Sequence, residues 1–403
     1  MQRLAVLVLM MLLPFKVSAM EIPVTEGVSS ELAQYRAAHI SDINYRLHFD
    51  IPADPAAPIK ASARVTFELD SLAQPLQLDF REDRQLLLGL SSNGRPIDID
   101  FRHEHIIVPA NALSLGLNTL EIEFLAGSSS LNRNPDYLYT LFVPDRARTA
   151  FPLFDQPDLK ATYDLTLDIP TAWTALANAP LESVIAGAEK SRYQFATSDL
   201  ISSYLFSFVA GQFETVERTV AGRKMTLLHR ETDPARIERN VDAIFEQHAR
   251  ALDWLEHYTG IDYPFKKFGF ALIPSFQYSG MEHVGAILYR AEALLLEEEP
   301  TDAELLGRAS LIAHETAHMW FGNLVTMAWF NDVWTKEVFA NFMAAKIVNP
   351  EFPEMDHQLS FLVDHYPPAY EVDRSAGANP CLLYTSPSPR DLVGNLVCRL
   401  LLE

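Results

Sequence analysis

Cysteine is nearly absent from this sequence of 403 residues, because its two cysteines, Cys381 and Cys398, both stand close to the carboxyl end. Disulfides therefore do not organise the fold, and the chain depends on its apolar core for stability. Basic residues are also in deficit, with 32 Lys and Arg against 53 Asp and Glu and a formal net charge of -21. Such a charge repels phosphate backbones and anionic lipid, so we expect no nucleic-acid partner.

Long apolar runs are absent apart from one at the amino terminus. Arg3 precedes the apolar stretch 4–13, and the small-x-small sequence VSA at 17–19 follows it. A run this short with such an ending is typical of a secretory signal, here residues 1–19, rather than of a membrane span. The segment predicts a bacterial protein that is periplasmic or secreted, with no stable membrane span after cleavage. An uncleaved anchor is the alternative.

The carboxyl-terminal segment has an unusual composition. Its sequence CLLYTSPSPRD, residues 381–391, matches the translation of a common sequencing-library adapter, and residues 396–403 match the far end of that adapter in the same frame. We therefore expect residues 381–403 to be an adapter-encoded, non-native tail that interrupts the natural frame after about Pro380. The alternative is a natural turn rich in Pro and Ser with a short apolar end.

Length and hydrophobic periodicity predict two domains between these ends. In residues 20–218, apolar and polar side chains alternate, as in segments 43–51, 65–69, 120–124 and 163–169. A period of two is typical of strands with one buried face and one wet face. These residues predict an antiparallel β domain.

Helical spacing dominates the second predicted domain, residues 219–380. A helix is expected from the Asp-Pro pair at 233–234 to Gly260, followed by a strand-like FGFALI segment. The sequence TDAE at 301–304 is a capping box, and it opens a helix that runs through the sequence HETAH. A further helix is expected over 333–348, where an Asn-Pro pair stops it. The fold class predicted is therefore α+β and multidomain.

The HETAH sequence carries the candidate chemistry. On a helix, His314 and His318 project from one face about 6 Å apart at Cβ, so both imidazoles can bind one zinc ion. Glu337, on the next predicted helix, can supply the third ligand that a catalytic zinc site needs, leaving one position open for water. Glu315 can then take the proton of that water as it attacks a carbonyl. The alternative is a chance occurrence of HExxH on a helix.

Three segments in order resemble the zinc metallo-aminopeptidase family of gluzincins that includes aminopeptidase N and leukotriene hydrolase. HExxH is followed by Glu337 in a WxxExFA context at 334–340, SGMEHVGAI at 279–287 is similar to an exopeptidase motif, and RTAFPLFDQP occupies 148–157. The resemblance covers most of residues 30 to 380. It implies a thermolysin-like, mostly helical zinc-peptidase domain, incomplete here, that removes the first residue of peptides with a free amino terminus.

The resemblance also implies roles around the zinc. Glu282 would bind the substrate's α-amine, while Gly280 and Met281 would run beside the peptide backbone. Two positions depart from the family pattern: His283 replaces an asparagine, and Val143 stands where a second amine-binding Gln or Glu is expected.

A third departure concerns the oxyanion. The family places an oxyanion-stabilising tyrosine about sixty residues after the third ligand, where such a donor can be worth roughly 10²- to 10³-fold in rate. That region falls in the suspected tail, and Tyr384 is not assigned the role. We therefore expect this chain, without that tyrosine and the family's last domain, to be weakly active or inactive. Two alternatives remain open, a zinc endopeptidase and a catalytically silent peptide-binding or structural zinc module. The preferred first residue and the oligomeric state do not follow from the sequence.

Overall fold

The computed structural model describes residues 22–374 of the chain. The predicted signal segment 1–19 and the predicted tail 381–403 therefore lie outside the described residues. Within the described range, no helix is long and apolar enough to cross a membrane.

The first half of the chain opens with helix α1, Ser30–His39, and then folds as β-structure. Its strands are β1 Ile40–Asp50, β2 Lys60–Leu69, β3 Leu76–Asp79, β4 Leu87–Ser92, β5 Arg95–Pro96, β6 Asp100–Arg102, β7 His105–Val108, β8 Gly116–Leu125, β9 Leu131–Arg133, β10 Tyr137–Thr140, β11 Ala161–Pro170, β12 Thr174–Ala177, β13 Leu181–Ile185, β14 Lys190–Phe195 and β15 Phe208–Gly211. Three sheets result, ordered β13-β14-β11-β1-β2-β8-β4-β5, β12-β15-β10-β9 and β3-β7-β6.

The predicted alternation is confirmed in the largest sheet. Every second residue of β11 is buried and the others are half-buried. Burial also alternates along β2 and β8. One pair differs from the antiparallel pattern, because β1 lies parallel to β11, with Ile43 opposite Ala161. Parallel neighbours need a long crossover connection, and the intervening strands β2 to β10 provide it. Periodicity in single strands carries no information on this pairing.

The second half combines a five-stranded sheet with helices. Its elements are β16 Glu214–Val220, β17 Arg223–His229, α2 Pro234–Thr259, β18 Phe268–Ile273, β19 Gly280–Met281, β20 Ile287–Arg290, α3 Ala291–Leu294, α4 Asp302–Ala317, α5 Val333–Val348 and α6 His357–Arg374. The sheet order is β16-β17-β18-β20-β19, and β17, β18 and β20 run parallel. Strand β16 begins before the predicted domain boundary and pairs with β17.

The predicted helix ends are confirmed. The side chain of Asp233 caps α2, Pro234 occupies its first turn, and Gly260 ends it in the left-handed conformation, which glycine adopts without steric cost. In α4 the Thr301 and Glu304 side chains each bond the other's backbone N–H, completing the capping box. Apolar faces of α2, α4 and α5 pack with the five-stranded sheet in one core. This core holds the HETAH helix against its neighbours.

Candidate metal centre

The two histidines of HETAH lie at the carboxyl end of α4. His314 is in the last turn, whereas His318 is the residue that caps the helix. The spacing still brings the rings together, with the two Nε2 atoms 3.0 Å apart. His318 is 1% exposed and His314 is 18% exposed at the side chain, so solvent reaches the pair from one side.

The outer nitrogen of each ring faces an oxygen acceptor. His314 Nδ1 is 3.0 Å from Asn341 Oδ1, and His318 Nδ1 is 3.0 Å from the Phe321 carbonyl oxygen. These acceptors assign the proton to Nδ1 in both rings, as metal-binding histidines commonly require. Two Nε2 lone pairs then point at each other across 3.0 Å, an arrangement that a cation between them stabilises.

Glu337 completes the ligand set from α5. Its Oε2 atom lies 3.4 Å from His314 Nε2 and 3.5 Å from His318 Nε2. Ligands placed tetrahedrally at about 2.0–2.1 Å from zinc are themselves roughly 3.3–3.4 Å apart. The three separations therefore fit a zinc ion bound by two imidazoles and one carboxylate, with the fourth position free.

Glu315, next to His314 in the sequence, is 4% exposed. Its Oε2 atom has no hydrogen-bond partner among the described residues. Burial raises the pKa of the Glu315 carboxyl to about 8. A Cβ atom built on Gly280 would lie 2.1 Å from Glu315 Oε1, so only glycine leaves room for this carboxylate. A second group of acceptor atoms, one from each of Glu282, Glu315 and His318, lies within 4.8 Å of one another. The predicted base Glu315 and the predicted amine-binding residue Glu282 are therefore close together.

A lysine that the sequence analysis did not single out joins the site. Lys336, in the first turn of α5, is 5% exposed and donates to Glu282 Oε1 at 2.7 Å and to Glu337 Oε1. Burial alone lowers the pKa of Lys336, but these two carboxylates outweigh it and raise the pKa well above its usual range. Burial alone raises the pKa of Glu282 and Glu337, and Lys336 reverses both shifts. Its position next to Glu337 was the one sequence signal for this role.

The exopeptidase-like segment occupies β19 and the turn after it. Met281 packs into the apolar core, and Glu282 is 3% exposed. His283 is fully buried, and both of its ring nitrogens lack a hydrogen-bond partner among the described residues. Burial lowers the pKa of His283 to about 4, so the ring is neutral. Val143 packs half-buried against the β core and offers no polar side-chain atom.

Comparisons with known proteins match both halves of the chain. The family described as "Peptidase M1 N-terminal domain" matches residues 42–205, and the family described as "Peptidase family M1 domain" matches residues 243–391. The second match extends into the segment 381–391 that was predicted to be a foreign tail.

Named relatives agree with these families. The chain is 37% identical to puromycin-sensitive aminopeptidase of Caenorhabditis elegans over 60% of its own length and 25% of that protein. It is 38% identical to aminopeptidase N of Streptomyces lividans over 52% of its own length and 24% of that protein. It is 36% identical to endoplasmic reticulum aminopeptidase 1 of Homo sapiens over 60% of its own length and 25% of that protein. The chain thus spans about a quarter of the length of these relatives.

The same relatives contradict the predicted bacterial periplasmic or secreted location. The nematode and human proteins are about as similar to the chain as the bacterial one, and the human protein is named for the endoplasmic reticulum. The prediction rested on residues 1–19 alone, which lie outside the described residues. An apolar run with a small-residue ending is too weak a signal to assign a bacterial compartment, and the prediction is wrong.

Proposed function

The chain belongs to peptidase family M1, and we propose on that basis that the whole protein is a zinc-dependent aminopeptidase. It removes amino-terminal residues from peptides. The arrangement of His314, His318 and Glu337 carries the proposal, because three ligand atoms 3.0 to 3.5 Å apart converge on one point. Oriented Nδ1 protons and a carboxylate from a second helix support binding of one zinc ion at these residues.

Zinc bound there would supply Lewis-acid chemistry, activating a water and polarising the peptide carbonyl. Glu315 would accept the proton of the attacking water and later pass it to the leaving amine. Its unpartnered Oε2 atom supports this role, as does its position within 4.8 Å of acceptor atoms of His318 and Glu282. Burial raises the pKa of the Glu315 carboxyl, and the charge of a zinc ion bound nearby would favour the ionised form that a general base needs.

Recognition of the free amine is assigned to Glu282. One oxygen of this buried carboxylate, Oε1, already accepts from Lys336, so Oε2 is the atom available to an ammonium group of the substrate. A fixed carboxylate beside the metal places the first peptide bond at the zinc and favours exopeptidase action. Gly280 and Met281 form the strand β19 that precedes Glu282, and we assign the substrate backbone to this edge.

The test uses the full-length protein and the variant Glu315→Gln. We expect turnover of aminoacyl amides to fall at least about 100-fold, because a general base contributes roughly 10²- to 10⁴-fold. Zinc content, measured by atomic emission, should stay at one ion per chain because Glu315 is not a ligand. Unchanged turnover in Glu315→Gln would contradict the assignment.

Substrate blocking separates the alternatives. Amino-terminal acetylation should abolish cleavage by an aminopeptidase, whereas an endopeptidase would still cut the blocked peptide. A full-length protein that holds zinc but hydrolyses neither substrate would instead be a silent peptide-binding or structural module.

A further inference from the structure

Three backbone carbonyls of the segment 282–285 each accept a hydrogen bond from a side chain outside it. Asn323 Nδ2 donates to the Glu282 carbonyl at 2.8 Å, and Asn178 Nδ2 donates to the Val284 carbonyl at 2.8 Å. Lys267 Nζ donates to the Gly285 carbonyl at 2.6 Å. The donors come from three separate regions of the chain. Together they fix the backbone that presents the Glu282 carboxylate.

Asn178 is the contribution of the β domain. It follows β12, is 5% exposed, and uses its whole amide group. Besides the bond to Val284, its Nδ2 donates to the Leu205 carbonyl at 2.8 Å, and its Oδ1 accepts from the Ser207 backbone N–H at 2.7 Å. The Asn178 amide therefore bonds Leu205 and Ser207 of the β domain and also Val284 of the segment 282–285.

The backbones of the two regions are also in close contact. Gly285 has φ +67, and a Cβ atom built on it would lie 2.3 Å from the Asn178 carbonyl oxygen. Lys267 Nζ bridges the Gly285 carbonyl to the Ala177 carbonyl, which it reaches at 2.7 Å. No larger residue than glycine fits this approach. The segment is thus fastened to residues 177–178 by a side chain, by a bridging ammonium and by packing.

We propose that Asn178 is a positioning residue for amine recognition. This inference rests on the proposed function, because it assigns a purpose to the position of Glu282. Without the Asn178 amide, the Val284 carbonyl loses its donor, and the segment gains freedom to move Glu282 away from the metal. The loss affects binding of the free amine and leaves the zinc ligands untouched.

The kinetic test compares Asn178→Ala with Asn240→Ala in the full-length protein. Asn240 is a matched control because it is 4% exposed and also bridges backbone groups, donating to the Arg236 and Leu296 carbonyls at 2.9 Å. For an aminoacyl amide, we expect KM to rise about tenfold in Asn178→Ala, as for one lost buried hydrogen bond, with kcat and zinc content nearly unchanged. Asn240→Ala should leave KM unchanged. An unchanged KM in Asn178→Ala, or an equal rise in both variants, would overturn the proposal.

Hydrogen exchange separates this inference from the proposed function. Backbone amides of residues 280–286 should exchange faster in Asn178→Ala than in the wild-type protein or Asn240→Ala, whether or not the protein is active. Equal exchange in all three proteins would overturn the positioning role. A wild-type protein that turns over no aminoacyl amide would overturn the proposed function instead, and the exchange result would still report on the contact itself.

Discussion

Acid should destabilise the catalytic half of the molecule through one buried histidine of α2. His248 is fully buried, its Nδ1 lies 2.8 Å from the Ile244 carbonyl, and its Nε2 lies 3.0 Å from the Tyr289 hydroxyl. Its ring also stacks on Phe270 with centroids 4.2 Å apart. The carbonyl can only accept, so Nδ1 carries the proton and Nε2 accepts from the tyrosine. A second proton on Nε2 would break the hydrogen bond donated by Tyr289 and place a charge in the core, and burial lowers the pKa of His248 to about 4.

The sign and size of the effect follow from linkage. An unfolded histidine titrates near pH 6.5, whereas folded His248 titrates at about 4. Between these values the unfolded state binds a proton that the folded state does not. Stability is therefore complete above about pH 6.5 and falls as the pH is lowered towards 4. For these two pKa values the loss from His248 reaches about 2 to 3 kcal/mol at about pH 4.5.

Urea unfolding of metal-free protein, followed by tryptophan fluorescence at about pH 7 and about pH 4.5, measures this loss. Removing the metal keeps acid-driven metal release out of the comparison. His248→Gln retains a donor and an acceptor, so its stability should fall by about 2 to 3 kcal/mol less between the two pH values than that of the wild type. His257→Gln, on the exposed face of the same helix, is the control and should lose at least as much stability as the wild type, because the hydrogen bond to the Asp253 carbonyl raises the pKa of His257. If His248→Gln loses as much stability as the wild type, the buried neutral histidine is not the cause.

Three further predictions concern the metal centre of the full-length protein. Gly280→Ala would place a Cβ atom 2.1 Å from Glu315 Oε1. We therefore expect kcat/KM for aminoacyl amides to fall on the order of 100-fold while the zinc content is unchanged. Wild-type activity would show that the Glu315 carboxylate moves aside freely. Lys336→Met leaves the Glu282 carboxylate buried without its ammonium partner, and unfolding should become easier by roughly 3–5 kcal/mol. An unchanged thermal transition would refute that partnership. Asn341→Ala removes the acceptor that orients the His314 ring, and zinc affinity measured by chelator competition should weaken about 10- to 100-fold. Equal affinity would show that the ring needs no such support.

Local signals predicted the helices of the second half, including the two that carry the proposed metal ligands. The Asp-Pro start and Gly260 end of α2, and the capping box of α4, depend on residues within one helical turn of each end. The i and i+4 spacing of His314 and His318 likewise brings both rings to one side of α4 whatever the rest of the fold does. For this reason the expected zinc ligands and the observed convergence of their Nε2 and Oε2 atoms agree.

Contacts between distant parts of the chain were not predictable in the same way. The parallel pairing of β1 with β11 depends on the whole intervening chain, which single-strand periodicity does not describe. Lys336 would be assigned to solvent by its residue type, because lysine is almost never buried unless it is paired. Its partner Glu282 stands 54 positions away, and no sequence pattern links the two residues. Asn178 is separated from Val284 by 106 positions, and no pattern near either residue points to the other.

This difference in sequence distance has a consequence for how the protein assembles. The three candidate metal-ligand atoms come from residues 314–337, a stretch formed by the end of α4, a connecting segment and the start of α5. Closing this shorter loop costs less chain entropy than joining Asn178 to Val284 across 106 positions. During synthesis, however, residues 178 and 284 are both released before residue 337. Closure entropy therefore favours early convergence of the candidate metal ligands, whereas the order of synthesis favours the Asn178 contact, and we expect that a mutation can delay one without delaying the other.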